Sequence, residues 1–264
     1  MSVLTVNIGA TSLDRAGRLL EWLATRPEQV ILLTETSSGD GTAHLLARFA
    51  SAGWRVAKTP DVERDRGAAL VSRIPIIESV DLAPVSIPGR VAAAVLDTRP
   101  RITVAAVYVP SRDRSEAKVV RKETFIASLV KALGELPAEV RQRLVLGGDY
   151  NVIPRHHQPA HKGFFPWEFG LLDSLAELGL VDAHDHLHPD AQPHSWIGRT
   201  NDGYRYDYLH CGAELSERLT GCSYLHETRA QGLTDHAAVT MDLRIDAEAV
   251  VTTELNEPAE ATLF

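Results

Sequence analysis

The chain has 264 residues, 44% hydrophobic and 23% charged, with 18 Gly and 14 Pro. These proportions exclude collagen-like, coiled-coil and wholly disordered classes and leave room for one large domain or two small ones. The formal net charge is −8, but Asp246, Glu248, Glu254, Glu257 and Glu260 crowd residues 246–264; without those five it is −3, so a polyanionic partner stays open.

No apolar run approaches the roughly 18 residues needed to cross a bilayer. The first basic residue is Arg15 and no long apolar core follows the start, so neither a membrane partner nor a signal peptide is expected, and a cytoplasmic location is. Cys211 and Cys222 allow at most one intramolecular disulfide, and nothing in the sequence points to one.

In chain order, residues 3–7 alternate as a first strand and 13–23 form a helix that ends before Pro27. Residues 29–34 are a short apolar run bounded by Thr-Glu-Thr-Ser-Ser-Gly-Asp-Gly, a buried strand with Glu35 at its end. A helix over 42–52 closes at Gly53. Short β-rich runs follow at 68–72, 76–82, 91–96 and 102–109, punctuated by Pro75, Pro84, Pro88-Gly89 and Pro100. The spacing of Val119, Phe125, Ile126, Leu129, Val130 and Leu133 predicts an amphipathic helix over 115–133. Next come a strand at 144–146, a helix over 167–178, and strands at 195–197, 206–211 and 237–243. No linker divides the chain, so the pattern reads as one α+β domain of two packed sheets with helices outside. The aperiodic end, 246–264, reads as an acidic mobile tail.

Several strand ends carry polar groups. Gly147-Gly148-Asp149-Tyr150-Asn151 follows an apolar strand, and two residues apart Asp149 and Asn151 can point the same way. Asn7 and Glu35 end the first two strands, and Thr234-Asp235-His236 opens the last. Each has an ordinary explanation as a turn former, a helix-start anion or a cap. Asp207 is different, because it lies within the otherwise apolar Tyr206-Asp207-Tyr208-Leu209 and needs a buried partner, for which His236 is a candidate. One hard-cation site with a His–Asp pair accounts for all of them together. Carboxylate and amide oxygens suit Mg²⁺ or Mn²⁺ better than Zn²⁺. The histidines at 156, 157, 161, 184, 186, 188 and 194 lie in expected loops without Cys partners and read as solvated, although a zinc site is conceivable.

An ordered set of short motifs carries a family resemblance: Asn7, Thr34-Glu35-Thr36, Gly67 to Arg73, Tyr108-Val109-Pro110-Ser111, Gly148 to Asn151, Arg205 to Tyr208, and Thr234-Asp235-His236. Together they span residues 1–245, and the chain resembles the endonuclease/exonuclease/phosphatase superfamily. Gly179 to Ala183, His188-Pro189, Ser195-Trp196, Gly203 to Tyr208 and Lys122-Glu123-Thr124-Phe125 are similar to the exonuclease III-type apurinic/apyrimidinic endonucleases within it.

The resemblance implies a single-domain, four-layered α/β sandwich of mostly antiparallel sheets, with the site at one rim. It implies Mg²⁺ (or Mn²⁺) held by Glu35 with Asn7 and Asp235. Asp149 would activate the attacking water, Asn151 would fix its position, and His236, oriented by Asp207, would meet the scissile phosphate beside Tyr108. Trp196, Tyr204 and Tyr206 would form a pocket for a flipped base-less sugar, unless they are ordinary core rings. Ser111, Arg112 and Arg205 would face the substrate, with solvated loop charge the alternative for Arg112. The implied partner is DNA, as a duplex with an abasic site or a 3′ end, cut by a monomer. The chain departs from the branch at Gly9, Ser37, Ser111, Asp185 and Ile197. Other phosphoesters (RNA, a nucleotide, a phospholipid head group) therefore stay open as substrates, as does a catalytically impaired nucleic-acid-binding or protein-binding module.

Overall fold

Along Ser2–Asn7 the side chains alternate between two buried environments, which is the signature of a strand covered on both faces. The computed structural model, which describes residues 1–59, 65–82 and 85–255, places this strand inside a six-stranded sheet. Its order is Leu219–Leu225, Ala238–Leu243, Ser2–Asn7, Val30–Thr36, Gly67–Ser72 and Arg55–Lys58. A second six-stranded sheet runs Leu180–Asp182, Asp207–Gly212, Leu144–Asp149, Ile102–Tyr108, Val91–Leu96 and Ile76–Val80.

Each sheet is antiparallel except for one parallel pair, Ser2–Asn7 with Val30–Thr36 and Ile102–Tyr108 with Leu144–Asp149. A parallel pair needs a crossover, and helices supply it in both cases: Leu13–Ala24 in the first, Glu116–Glu135 in the second. The two crossovers bring four strand C-terminal ends to the same rim.

Three apolar layers hold the sandwich. Leu4, Val6, Ile31, Leu33 and Val71 pack outward on Leu19, Leu23, Leu45 and Phe49 of the helices Leu13–Ala24 and Asp40–Ser51. The opposite set, Val3, Val30, Leu32, Leu70 and Met241, meets Ala92, Ala94, Val104, Ala106 and Leu209 of the second sheet. Ala105, Val107, Leu144 and Leu146 then pack on Phe125, Ile126, Leu129 and Leu133, and on Leu171 and Leu175 of the helix Pro166–Glu177. The expected four-layered α/β sandwich with two mostly antiparallel sheets is the observed architecture. Cys211 and Cys222 are free thiols in the middle layer.

Some expected elements change. The segment after residue 245 does not run free as far as the structure describes it. Asp246–Ala247 pairs with Thr98–Arg99, Val250 N–H donates to the Arg73 carbonyl (2.8 Å), and Thr253 N–H to the Ala52 carbonyl (3.1 Å). Leu255 is 2% exposed within the outer layer, and Arg48 Nη2 donates to its carbonyl at 2.8 Å. Backbone pairing of this kind leaves no periodicity to read, which is why the sequence shows only an acidic tail. Glu257, Glu260 and the rest of 256–264 lie outside the described residues, as does Pro84. The edge strand Leu219–Leu225 also escapes sequence reading, because its exposed face is polar and its apolar alternation weak.

Gly147-Gly148 leaves no room for side chains against the neighbouring strands of its own sheet. A Cβ on Gly147 would lie 2.4 Å from Leu209 Cδ2, and one on Gly148 (φ +143°) would lie 2.0 Å from the Val107 carbonyl oxygen. Since backbone cannot yield as a side-chain tip can, Gly148→Ala should destabilise the fold by about 1–3 kcal/mol, the usual cost of overpacking. A urea unfolding midpoint indistinguishable from wild type would contradict this packing.

Candidate active site at the shared rim of the two sheets

The rim gathers residues that are far apart in sequence. Asn7 ends its strand, and its Nδ2 donates to Glu35 Oε1 of the same sheet (3.1 Å) and to Asp149 Oδ2 of the other (2.9 Å). Its Oδ1 accepts the Gly9 N–H at 2.8 Å. Arg15 holds the following turn by donating to the Gly9 carbonyl at 2.7 Å. The amide therefore ties the two carboxylates together across the sandwich.

Glu35 reaches the cleft through a backbone irregularity. It sits at φ +54°, where the register between Val30–Thr36 and Gly67–Ser72 slips between Thr34 and Thr36. Such a bulge re-aims a side chain that regular pleating would place elsewhere. Non-glycine residues at positive φ are uncommon and cluster at functional sites. Asn151 is a second example, at φ +50°.

Asp149 and Asn151 do point the same way, while Tyr150 between them turns inward and stacks on Tyr208 at 5.0 Å. The Asn151 N–H donates to Asp149 Oδ1 (2.9 Å), and its Nδ2 donates to Asp149 Oδ2 (3.1 Å) and to the Val109 carbonyl (3.0 Å). Burial, joined by the charges of Asp207 and Glu35, raises the Asp149 carboxyl well above the ordinary carboxylate range; His236 opposes the shift. Tyr108 faces Asp149 in register across the parallel pair, with the Arg90 guanidinium 4.5 Å over its ring. Burial and then the negative charges of Glu35 and Asp149 push its phenol up, so it stays protonated beside Glu35.

Asp207 is buried and pairs with His236, whose Nδ1 donates to Asp207 Oδ2 at 2.6 Å. Ser195 Oγ accepts the Tyr206 and Asp207 N–H groups at 2.9 and 3.0 Å, and His236 bridges to Trp196 through backbone. Burial alone would pull the His236 imidazolium down, but the charge and hydrogen bond of Asp207 outweigh it and hold the group up at about 10. With Nδ1 committed to Asp207, Nε2 is the nitrogen available to a ligand.

Ligand atoms of Asp149, Asp207 and His236 lie within 4.8 Å of one another. Asp207 Oδ1 is buried without a hydrogen-bond partner. Glu35 joins this group through Asn7, whose amide it shares with Asp149, and Arg66 Nε lies 3.9 Å from Glu35 Oε2. Such a surplus of oxygen donors fits a hard divalent cation. Asp235 stands slightly apart from this cluster: it is exposed and accepts the Trp196 indole N–H at 2.9 Å.

A cavity of about 250 Å³ opens beside Asn151, lined by Ser111, Phe164, Trp196, Tyr204 and Tyr206. Tyr204 and Tyr206 stack at 5.5 Å, and Trp196 lies 5.7 and 5.8 Å from them. These aromatics do share one wall. A larger cavity of about 480 Å³, bounded by Arg18, Trp22 and Glu227, contains none of the rim residues.

Two expected substrate contacts are engaged internally. Arg205 is 2% exposed; its guanidinium donates to Asp182 Oδ1 (2.6 Å), Asp185 and Tyr224 Oη (2.7 Å) and covers the Tyr208 ring. Since neighbours along extended backbone point to opposite sides, Tyr204 and Tyr206 take the cleft and Arg205 the interior. Its burial also explains Asp185, which supplies part of its counter-charge. Arg112 pairs with Glu168 and lies over Phe165 at 4.4 Å. Lys122, Glu168 and Arg90 went unassigned as parts of the site. Lys122 carries a readable signal, because it falls on the same helical stripe as Val119, Phe125 and Ile126.

Because His236 carries its proton in the folded state up to about 10 and loses it near 6.5 when unfolded, the pair stabilises fully below about pH 6.5 and progressively less as pH rises toward 10. Asp207→Asn should therefore cost about 3–5 kcal/mol at pH 6, as breaking a buried pair does, and less near pH 10. Urea midpoints of both proteins at the two pH values test this; an equal gap at both would mean that the imidazole is not charged in that window.

Comparison with known proteins agrees with this geometry. The model of the Endonuclease/Exonuclease/phosphatase family matches residues 4–219. No curated protein gives a significant match. Among solved structures, an AP endonuclease from Archaeoglobus fulgidus superposes with a TM-score of 0.78 at 21% identity, over 92% of this chain and 99% of that one. A 3′ phosphatase from Neisseria, bound to product DNA hairpin, gives 0.76 at 24% identity over the same shares. A 3′-5′ exonuclease from Neisseria meningitidis gives 0.74 at 24%, again over 92% and 99%. At such identities these likenesses show a common fold, whereas the family match covers most of the sequence. The chain belongs to the Endonuclease/Exonuclease/phosphatase family, and so to the phosphoester hydrolases.

Proposed function

We propose that the protein is a Mg²⁺- or Mn²⁺-dependent phosphodiesterase that cuts DNA, 5′ to an abasic site or from a 3′ end. The observation that carries the reading is Asp149: a buried carboxylate fixed from two sides by the amides of Asn7 and Asn151, beside a charged His236–Asp207 pair. A scaffold or binding module has no use for a carboxylate raised and aimed in this way. A general base poised toward neutral pH needs both features.

In the reaction, Asp149 accepts the proton of the attacking water, and Asn151 fixes the carboxylate's orientation. His236 presents its cationic Nε2 edge to the scissile phosphate, while Asp207 sets the tautomer and sustains the charge. Tyr108, kept protonated, is a neutral donor at the same centre. Glu35, with Asp235 and Asn7 nearby in the rim, would hold the cation. When bound, the cation supplies Lewis acidity and neutralises charge on the phosphate. The stacked Trp196, Tyr204 and Tyr206 offer an apolar wall to an extruded sugar, and an abasic nucleotide loses least stacking on extrusion. The DNA-processing relatives of the same fold, an AP endonuclease and a 3′ phosphatase, support this substrate class.

One observation favours a second substrate reading. Arg112, though it lines the cavity, and Arg205 are both engaged by internal carboxylates, which leaves less positive charge for the substrate and suits a smaller phosphoester such as a nucleotide, a head group or an RNA end. A labelled duplex with a single abasic-site analogue separates the readings. Incision beside the lesion is expected with Mg²⁺ and none with EDTA, and an undamaged control should stay intact internally. Folded, metal-supplied protein that leaves the lesion uncut would transfer the assignment to another phosphodiester. On whichever substrate is cut, Asp149→Asn should lower turnover by about 10²–10⁴-fold, the typical contribution of a positioned base, with binding retained. Survival of turnover in that variant would refute the assigned role.

A further inference from the structure

Three charged side chains in the lining of the cavity are left idle by the mechanism above. Lys122, Glu168 and Arg112 have side-chain exposures of 2%, 1% and 9%. Lys122 Nζ donates to Glu168 Oε1 at 2.6 Å and to the backbone carbonyl of Asn151 at 2.6 Å. Arg112 Nε donates to Glu168 Oε1 at 3.0 Å, and its Nη2 to Glu168 Oε2 and, at 2.8 Å, to the Gly163 carbonyl. Glu168 Oε2 also accepts the Phe165 N–H at 2.8 Å.

As a stability device this triplet makes little sense. Burying each charge is costly, and two cations on one anion leave a positive excess that apolar packing would avoid. The excess has one evident use. The hydrogen bond that Lys122 does not spend on Glu168 goes to Asn151, whose backbone sits at φ +50°. That conformation is unfavourable for a non-glycine residue and persists only when its surroundings over-determine it. Anchoring the Asn151 carbonyl fixes the peptide plane, and with it the direction of the side chain toward Asp149 Oδ2 and the Val109 carbonyl. The carboxylate of Glu168 comes from the helix Pro166–Glu177 and the guanidinium of Arg112 from the loop after Tyr108, so the triplet also couples the cavity wall to this residue.

We propose that Lys122 is a positioning residue for the hydrolytic centre: its ammonium, set by Glu168 and Arg112, holds Asn151 in the left-handed backbone geometry that aims the amide at Asp149. The inference rests on the reading of Asp149 and Asn151 as the water-activating pair, and its test has one arm that does not depend on turnover. Lys122→Met removes the ammonium and leaves the Arg112–Glu168 pair charge-balanced.

In the full chain with Mg²⁺, amide hydrogen exchange at Asn151, whose N–H is held by Asp149 Oδ1, should quicken by about tenfold or more in Lys122→Met while core strands stay protected. Lys122→Arg should restore part of that protection. Turnover should fall by up to about 100-fold with KM unchanged, the scale of an ångström-level misplacement. In an Asn151→Ala background the same substitution should cost nothing further. Unchanged exchange at Asn151, or an equal loss of turnover with and without Asn151, would overturn the proposal. If Lys122→Met does not fold, Glu168→Gln loosens the ammonium at constant volume and must give the same selective exchange. A wild-type protein that cuts no phosphodiester would instead refute the hydrolytic reading, and the exchange data would still decide whether Lys122 fixes Asn151.

Discussion

Three carboxylates from two sheets meet at one rim, and the rest of the site answers the repulsion that this creates. Glu35, Asp149 and Asp207 would each be solvated in an unfolded chain; brought together and partly or wholly buried, they need donors, a cation or protons. Asn7 supplies one amide to two of them, Asn151 supplies two hydrogen bonds to Asp149, and His236 neutralises Asp207. What is left over is chiefly the unpartnered Asp207 Oδ1 and the outer oxygen of Glu35, which faces Arg66. Local electrostatics and hydrolytic function are thus one arrangement seen from two sides.

That arrangement depends on how closely the sheets pack. The alanines of Val91–Leu96 and Ile102–Tyr108, with Gly147 and Gly148, keep the middle layer thin near the rim. A thin layer lets an asparagine on one sheet reach an aspartate on the other within hydrogen-bond distance. The two parallel pairs matter equally, because only their helical crossovers place the C-terminal ends of Ser2–Asn7, Val30–Thr36, Ile102–Tyr108 and Leu144–Asp149 side by side.

The charged residues divide into two groups by what they touch. Arg205 and Arg112, which motif position assigns to the substrate, serve internal anions at Asp182, Asp185 and Glu168. With Arg205 turned inward and Arg112 held on Glu168 in the cavity lining, the cleft presents aromatic rings on one wall and carboxylates at the rim. Such a surface offers aromatic faces more than a continuous basic track.

Much of this was determined by the sequence itself. Periodicity of two in the strands and of three to four in the helices dictates which faces are apolar, and hence two covered sheets. Ordered polar residues at strand ends single out Asn7, Glu35, Asp149, Asn151, Asp207, Asp235 and His236. Asp207 in particular betrays a partner, since a charge in an apolar strand cannot stay uncompensated. Tertiary structure decided what each side chain does there. It made Asn7 a bridge between carboxylates, set Asp235 against Trp196, and sent Arg205 inward. It also docked residues 246–255 through backbone carbonyls and placed Lys122 under Asn151. Those outcomes depend on bulges, positive-φ residues and contacts between distant segments, and none of these leaves a periodic trace in the order of residues along the chain.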